Sequence, residues 1–76
     1  MKIEVLGMGC TSCNKLYQNA VEAVKLSGKE IEVTKVEDIK KIMAYGVLST
    51  PALVIDGLVK AAGKLPKVEE IRGWIG

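Results

Sequence analysis

The chain opens on alternation. Ile3 and Val5 alternate with Lys2 and Glu4, Leu6 extends the run, and Gly7-Met8-Gly9 breaks it, which predicts a short strand ending in a flexible turn. From residue 11 to about residue 26 the period becomes helical: Cys13, Leu16, Tyr17, Ala20, Val21 and Val24 recur on one face. Thr11 or Ser12 is placed to cap the first turn and Gly28 to end the helix. Ile31, Val33 and Val36, set against Glu32 and Thr34, predict a second strand. Glu37-Asp38 then opens a short helix with Ile39, Ile42 and Met43 on one face and Gly46 at its end. Beyond Val47-Leu48-Ser49-Thr50-Pro51 comes the apolar run from Ala52 to Ile55, a third strand. Asp56-Gly57 is a strong hairpin signal, Leu58 to Ala62 supplies the returning strand, and Gly63 stops it. Pro66 suits the first turn of a last helix with Val68, Ile71, Trp74 and Ile75 facing inward.

The order is therefore β-α-β-α-β-β-α, an α/β arrangement in a single domain over residues 1–76. A crossover through the first helix makes the first two strands parallel, and the hairpin makes the last two antiparallel. A mixed four-stranded sheet flanked by helices follows.

Composition narrows the chemistry. With 49% hydrophobic and 26% charged residues the chain has the balance of a globular domain. A net charge of +2, scattered along the chain, gives no nucleic-acid surface. No apolar stretch reaches the length of a membrane helix, and Met1-Lys2-Ile3-Glu4 lacks the apolar core of a signal peptide, so a cytoplasmic protein that binds no membrane is expected, working as a monomer. There is no histidine, which removes Ser-His and Cys-His catalysis and every histidine-ligated metal. Chemistry must run on thiols, carboxylates, lysines or backbone dipoles.

The two cysteines, Cys10 and Cys13, lie at the junction of the first strand and first helix. A bridge across so short a loop is worth at most roughly 2 kcal/mol of chain entropy, so the pair is not there to hold the fold together. Unpaired N–H groups and the dipole of a helix N-terminus favour a thiolate, which makes Cys10 the more activated thiol. Cys13 falls one turn further in, on the face of Leu16 and Tyr17, and is expected to be buried. A nucleophile and a resolving thiol suit such a geometry.

The stretch Tyr45-Gly46-Val47-Leu48-Ser49-Thr50-Pro51-Ala52-Leu53-Val54-Ile55-Asp56-Gly57, then Gly63 and a terminal helix, resembles the second half of thioredoxins and glutaredoxins. With Cys10-Thr11-Ser12-Cys13 ahead of it, the resemblance covers nearly the whole chain and is closest to small, glutaredoxin-sized prokaryotic thioredoxins of the redox-active disulfide type. The resemblance implies a thioredoxin-like fold and a thiol-disulfide oxidoreductase whose only redox group is a Cys10-Cys13 disulfide, with no further cofactor and no metal. It implies disulfide-containing protein substrates, and a thioredoxin reductase or glutathione as electron donor. It makes Pro51 a cis proline beside the cysteines and Thr50 a donor of backbone groups to an extended substrate, with Thr11 and Ser12 as further substrate contacts. Glu4, six residues before Cys10, falls where thioredoxins carry a buried acid, and Lys35 where they carry the lysine that approaches it; both are candidate proton acceptors for Cys13. Two features depart from the family pattern: Gly9 replaces the usual tryptophan, and Thr11-Ser12 is an unusual dipeptide between the cysteines.

A second reading competes. Gly7-Met8-Gly9-Cys10-Thr11-Ser12-Cys13 also resembles the loop of copper chaperones and heavy-metal-associated domains, where two soft thiolates suit Cu(I). Such domains run strand-helix-strand-strand-helix-strand. The remainder of the chain discriminates, because a helix rather than a hairpin is expected after the second strand.

Overall fold

The structure, a computed structural model, describes residues 1–7, 11–47 and 50–75. Its elements are β1 (Lys2–Leu6), α1 (Thr11–Ser27), β2 (Glu32–Val36), α2 (Ile39–Ala44), β3 (Ala52–Ile55), β4 (Leu58–Ala62) and α3 (Val68–Ile75), in the expected order. One mixed sheet runs β2-β1-β3-β4. β1 pairs parallel with β2 and antiparallel with β3, and β3 pairs antiparallel with β4. The thioredoxin-like α/β arrangement expected from the sequence is the one observed.

Strand alternation sends successive residues of β1 to opposite faces, and each face is covered by different helices. Ile3 and Val5 join Leu16, Ala20 and Ala23 of α1 and Ile71 and Ile75 of α3 in the larger core, with Leu53, Ile55 and Ala61. Leu6, by contrast, packs with Val36, Ile42, Val47, Ala52 and Val54 on the α2 face. All four residues of β3 are buried, as a central strand covered on both faces requires. Each fully buried Leu or Ile contributes roughly 1.5–3 kcal/mol, so these two aliphatic cores, without a single phenylalanine, carry the fold.

The hairpin forms as its sequence predicts. Asp56 and Gly57 both have positive φ, 51° and 82°, the backbone that a two-residue turn matched to strand twist demands. Asp56 also ties the turn to β1: its carboxylate accepts from the Lys2 N–H at 2.9 Å, and its own N–H donates to the Lys2 carbonyl. Asp38 opens α2 as the N-cap, accepting from the Lys40 N–H at 2.9 Å.

Two local expectations are corrected. Pro66 does not lie in the first turn of the last helix, which starts at Val68. It is buried ahead of the helix, where its carbonyl accepts from the Asn19 side chain at 3.1 Å. On α2, Ile42 is buried but Ile39 and Met43 are 56% and 64% exposed. A helix of six residues presents about one side chain per turn to the sheet beneath it, and here Ile42 occupies that position.

Candidate active site

β1 runs out of the sheet at Gly7, whose N–H still donates to the Val36 carbonyl at 3.0 Å, and α1 begins at Thr11. Antiparallel pairing sets Leu6 of β1 opposite Ala52 of β3, so the end of β1 faces the start of β3. Pro51 immediately precedes that start, buried, with a cis Thr50–Pro51 peptide bond as the resemblance implies. The Pro51 carbonyl accepts from the Gly63 N–H at 2.9 Å, and the positive φ of Gly63, 69°, turns the chain there. Thr50, Thr11 and Ser12 are exposed. Gly7, Cys13 and the cis proline are thus gathered at one end of the sheet.

Cys13 is 4% exposed, in the first turn of α1, and its sulfur is held in a disulfide. Cys10, with Ser49 and Leu48 of the proline motif, falls outside the described residues. The buried position expected for Cys13 is observed, and it depends on Gly7, which the sequence marks as a strand breaker and as the start of the chaperone-like loop but not as a packing partner of Cys13. A Cβ built on Gly7 would overlap the Cys13 sulfur and come within 2.7 Å of the Cys13 Cβ. Gly7 is the wall against which Cys13 packs. The only sequence signal was a glycine at the strand end three residues before the first cysteine, which is shared by flexible turns.

Lys35 and Glu4 are not brought together. Register pairs Val5 with Lys35 and Glu4 with Thr34, so alternation puts Lys35 on the α1 face and Glu4 on the α2 face. Lys35 stands on the side of Cys13. It lines, with Val5, Gly7, Cys13, Asn14 and Glu37, a small cavity of about 10 Å³. Its ammonium donates to Asn14 Oδ1 at 3.1 Å and lies 4.8 Å from the centre of the Tyr17 ring, two contacts that fix a positive charge beside the first turns of α1.

Glu4 instead accepts a hydrogen bond from the Tyr45 hydroxyl at 2.8 Å. That bond, then burial, then the nearby carboxylate charge raise the Tyr45 phenol above its ordinary value of 10.0. Because folding raises this pKa, its contribution to stability is complete below about pH 10 and is lost as pH rises through the folded-state value. Urea denaturation at intervals between about pH 8 and about pH 11 should show this alkaline loss, and Tyr45→Phe should lack that component. Identical profiles in the two proteins would contradict the assignment.

The strand-helix-strand-helix-strand-strand-helix order, with α2 rather than a hairpin after β2, departs from the heavy-metal-associated arrangement. A cis proline stands at the sheet end where β1 leads into the helix that carries the buried, disulfide-bonded Cys13. A thioredoxin domain model matches residues 1–76. The chain belongs to the thioredoxin family. It is 39% identical over 72 residues to a thioredoxin of Methanothermobacter thermautotrophicus, covering 95% of this chain and 94% of that one. It is also 39% identical over 70 residues to a thioredoxin of Methanocaldococcus jannaschii, covering 92% and 80%. A probable thioredoxin of Methanothermobacter marburgensis is 35% identical over 75 residues, 93% of this chain and 87% of that one. The thioredoxin-family chain described here is a protein-disulfide oxidoreductase. Among its described residues, no helix is long and apolar enough to cross a membrane.

Proposed function

We propose that this member of the family works by a dithiol mechanism through Cys10 and Cys13. The Cys10 thiolate attacks one sulfur of a substrate disulfide, forming a mixed disulfide and releasing the other substrate sulfur as a thiolate. Cys13 then attacks the Cys10 sulfur, the second substrate thiolate leaves, and the Cys10-Cys13 disulfide holds the two electrons' worth of oxidation. A thioredoxin reductase or glutathione returns two electrons and restores the dithiol, with no further cofactor. The observation that carries this reading is Cys13, buried against Gly7 and already disulfide-bonded, at the sheet end that also holds cis-Pro51.

The division of labour follows from exposure. A buried Cys13 is shielded from a bulky partner but accessible to an intramolecular sulfur, which fits the resolving role. Lys35, held by Asn14 and Tyr17, lines the same small cavity as Cys13 and is the candidate proton acceptor on that side of the sheet. Glu4, on the other face of the sheet, is assigned no proton transfer with Cys13. Thr50, Thr11 and Ser12, exposed, with cis-Pro51 buried next to Thr50 and shaping its backbone, form the site at which an extended protein substrate docks, and the protein acts as a cytoplasmic monomer in a single domain.

The test is turnover by the purified dithiol protein on insulin disulfides, coupled in turn to thioredoxin reductase and to glutathione. Sustained turnover with one of the donors is expected. A protein that holds one Cu(I) per chain on its cysteines and turns over no disulfide would return the copper-chaperone reading.

A further inference from the structure

A groove wider than the Cys13 cavity opens beside the substrate end, between β4, the turn that follows Gly63, and α3. Its volume is about 230 Å³. Leu65, Pro66 and the half-buried Trp74 give it an apolar lining, and Lys60 and Lys64 bring two ammonium groups to it. Glu70 adds a carboxylate, which accepts from the Lys67 N–H at 3.4 Å at the start of α3. The β3–β4 ladder pairs Leu53 with Ala61 but Val54 with Val59, which leaves Lys60 as the extra residue of a bulge. Strict alternation would send Lys60 and the buried Ala61 to opposite faces of the sheet; across the bulge, both line this groove. Lys64 follows Gly63, whose N–H donates to the Pro51 carbonyl, so the groove begins one residue from a contact that holds the cis proline. The turn is also held from α1, where the Asn19 side chain donates to the Pro66 carbonyl at 3.1 Å.

We propose that this groove is a specificity site for the substrate polypeptide, receiving a flank that carries a carboxylate beside a bulky apolar side chain. Through the Pro51–Gly63 pair it adjoins the place where the substrate backbone docks. The apolar side chain leaves water against Trp74 and Leu65, and the carboxylate meets Lys60 and Lys64. Those lysines are exposed, and opposite charge at such a rim sets partner choice and encounter rate more than raw affinity. The inference rests on the thiol-disulfide reading above and adds to it the class of protein segment that is preferred.

Trp74 is the chain's only tryptophan, so its fluorescence reports on the groove directly. The experiment titrates wild type, Lys60→Gln/Lys64→Gln and Lys40→Gln/Lys41→Gln with a cysteine-free peptide carrying Glu-Leu pairs and with its Lys-Leu counterpart. Disulfide-bonded forms of the two peptides, and the small neutral hydroxyethyl disulfide, then serve as substrates. The Glu-Leu peptide should change wild-type Trp74 fluorescence saturably. The KM for its disulfide form should lie about three- to tenfold below that of the Lys-Leu form, a preference lost at about 1 M salt. Lys60→Gln/Lys64→Gln should lose the preference and keep the wild-type rate on the small disulfide. Lys40→Gln/Lys41→Gln removes the same charge from α2, on the other face of the sheet, and should keep the preference. Equal loss of preference in the two double variants would mark bulk charge and overturn the proposal. So would equal KM values for the two peptides in wild type, a Trp74 signal that the Glu-Leu peptide leaves unmoved, or one that glutathione moves and the peptide does not. A wild type inactive on every disulfide would refute the thiol-disulfide reading, and the fluorescence titration would still decide the groove.

Discussion

Gly7→Ala is expected to cost about 1–3 kcal/mol of stability and to slow disulfide turnover on the order of a hundredfold. The added methyl carbon would overlap the Cys13 sulfur, and it would lie 2.7 Å from the Cys13 Cβ, closer than real carbon contacts come. Either β1 shifts away from α1, disturbing the Ile3, Val5 and Leu16 core, or Cys13 leaves its place. Both outcomes displace the Cys13 sulfur, which the proposed mechanism uses as the resolving thiol. The backbone of Gly7 donates to Val36 within an ordinary strand exit, so the cause is side-chain volume alone. Gly73→Ala is the control, because nothing stands within 4 Å of a Cβ there and the position is in the interior of α3. That substitution should leave activity intact and raise stability by up to about 1 kcal/mol. Thermal denaturation and insulin reduction on both variants check the contrast, and equal behaviour of the two would remove Gly7 from the site.

The elements of this fold were legible because local signals agreed with one another. The alternation through Ile3 and Val5, the helical spacing from Cys13 to Val24, and the Asp56-Gly57 turn each pointed to the element that formed. The cis bond at Pro51 was legible only through family resemblance, since an isolated proline ahead of an apolar strand reads as trans. What failed did so where tertiary geometry decides. The family resemblance placed Glu4 and Lys35 as a pair, but one step along a strand reverses the face, and the parallel register matches Lys35 with Val5. Ile39 and Met43 looked like core on periodicity, yet so short a helix buries Ile42 alone. Gly7 read as a flexible turn because its constraint comes from Cys13, an element away.

The thiol pair carries the second large effect. Cys10→Ser should abolish turnover, because the buried Cys13 cannot take over attack on a protein disulfide. Cys13→Ser should retain the first step and lose the second: its hydroxyl is too weak a nucleophile at neutral pH to displace the substrate sulfur from Cys10. Turnover is then lost for a different reason in each protein, and the two reasons are separable by mass. The most direct measurement is the intact mass of each variant after incubation with an oxidised protein substrate and removal of small thiols. Cys13→Ser should carry one substrate chain in a mixed disulfide that dithiothreitol releases, and Cys10→Ser should carry none. An adduct on Cys10→Ser with none on Cys13→Ser, or full turnover by either variant, would contradict the dithiol mechanism.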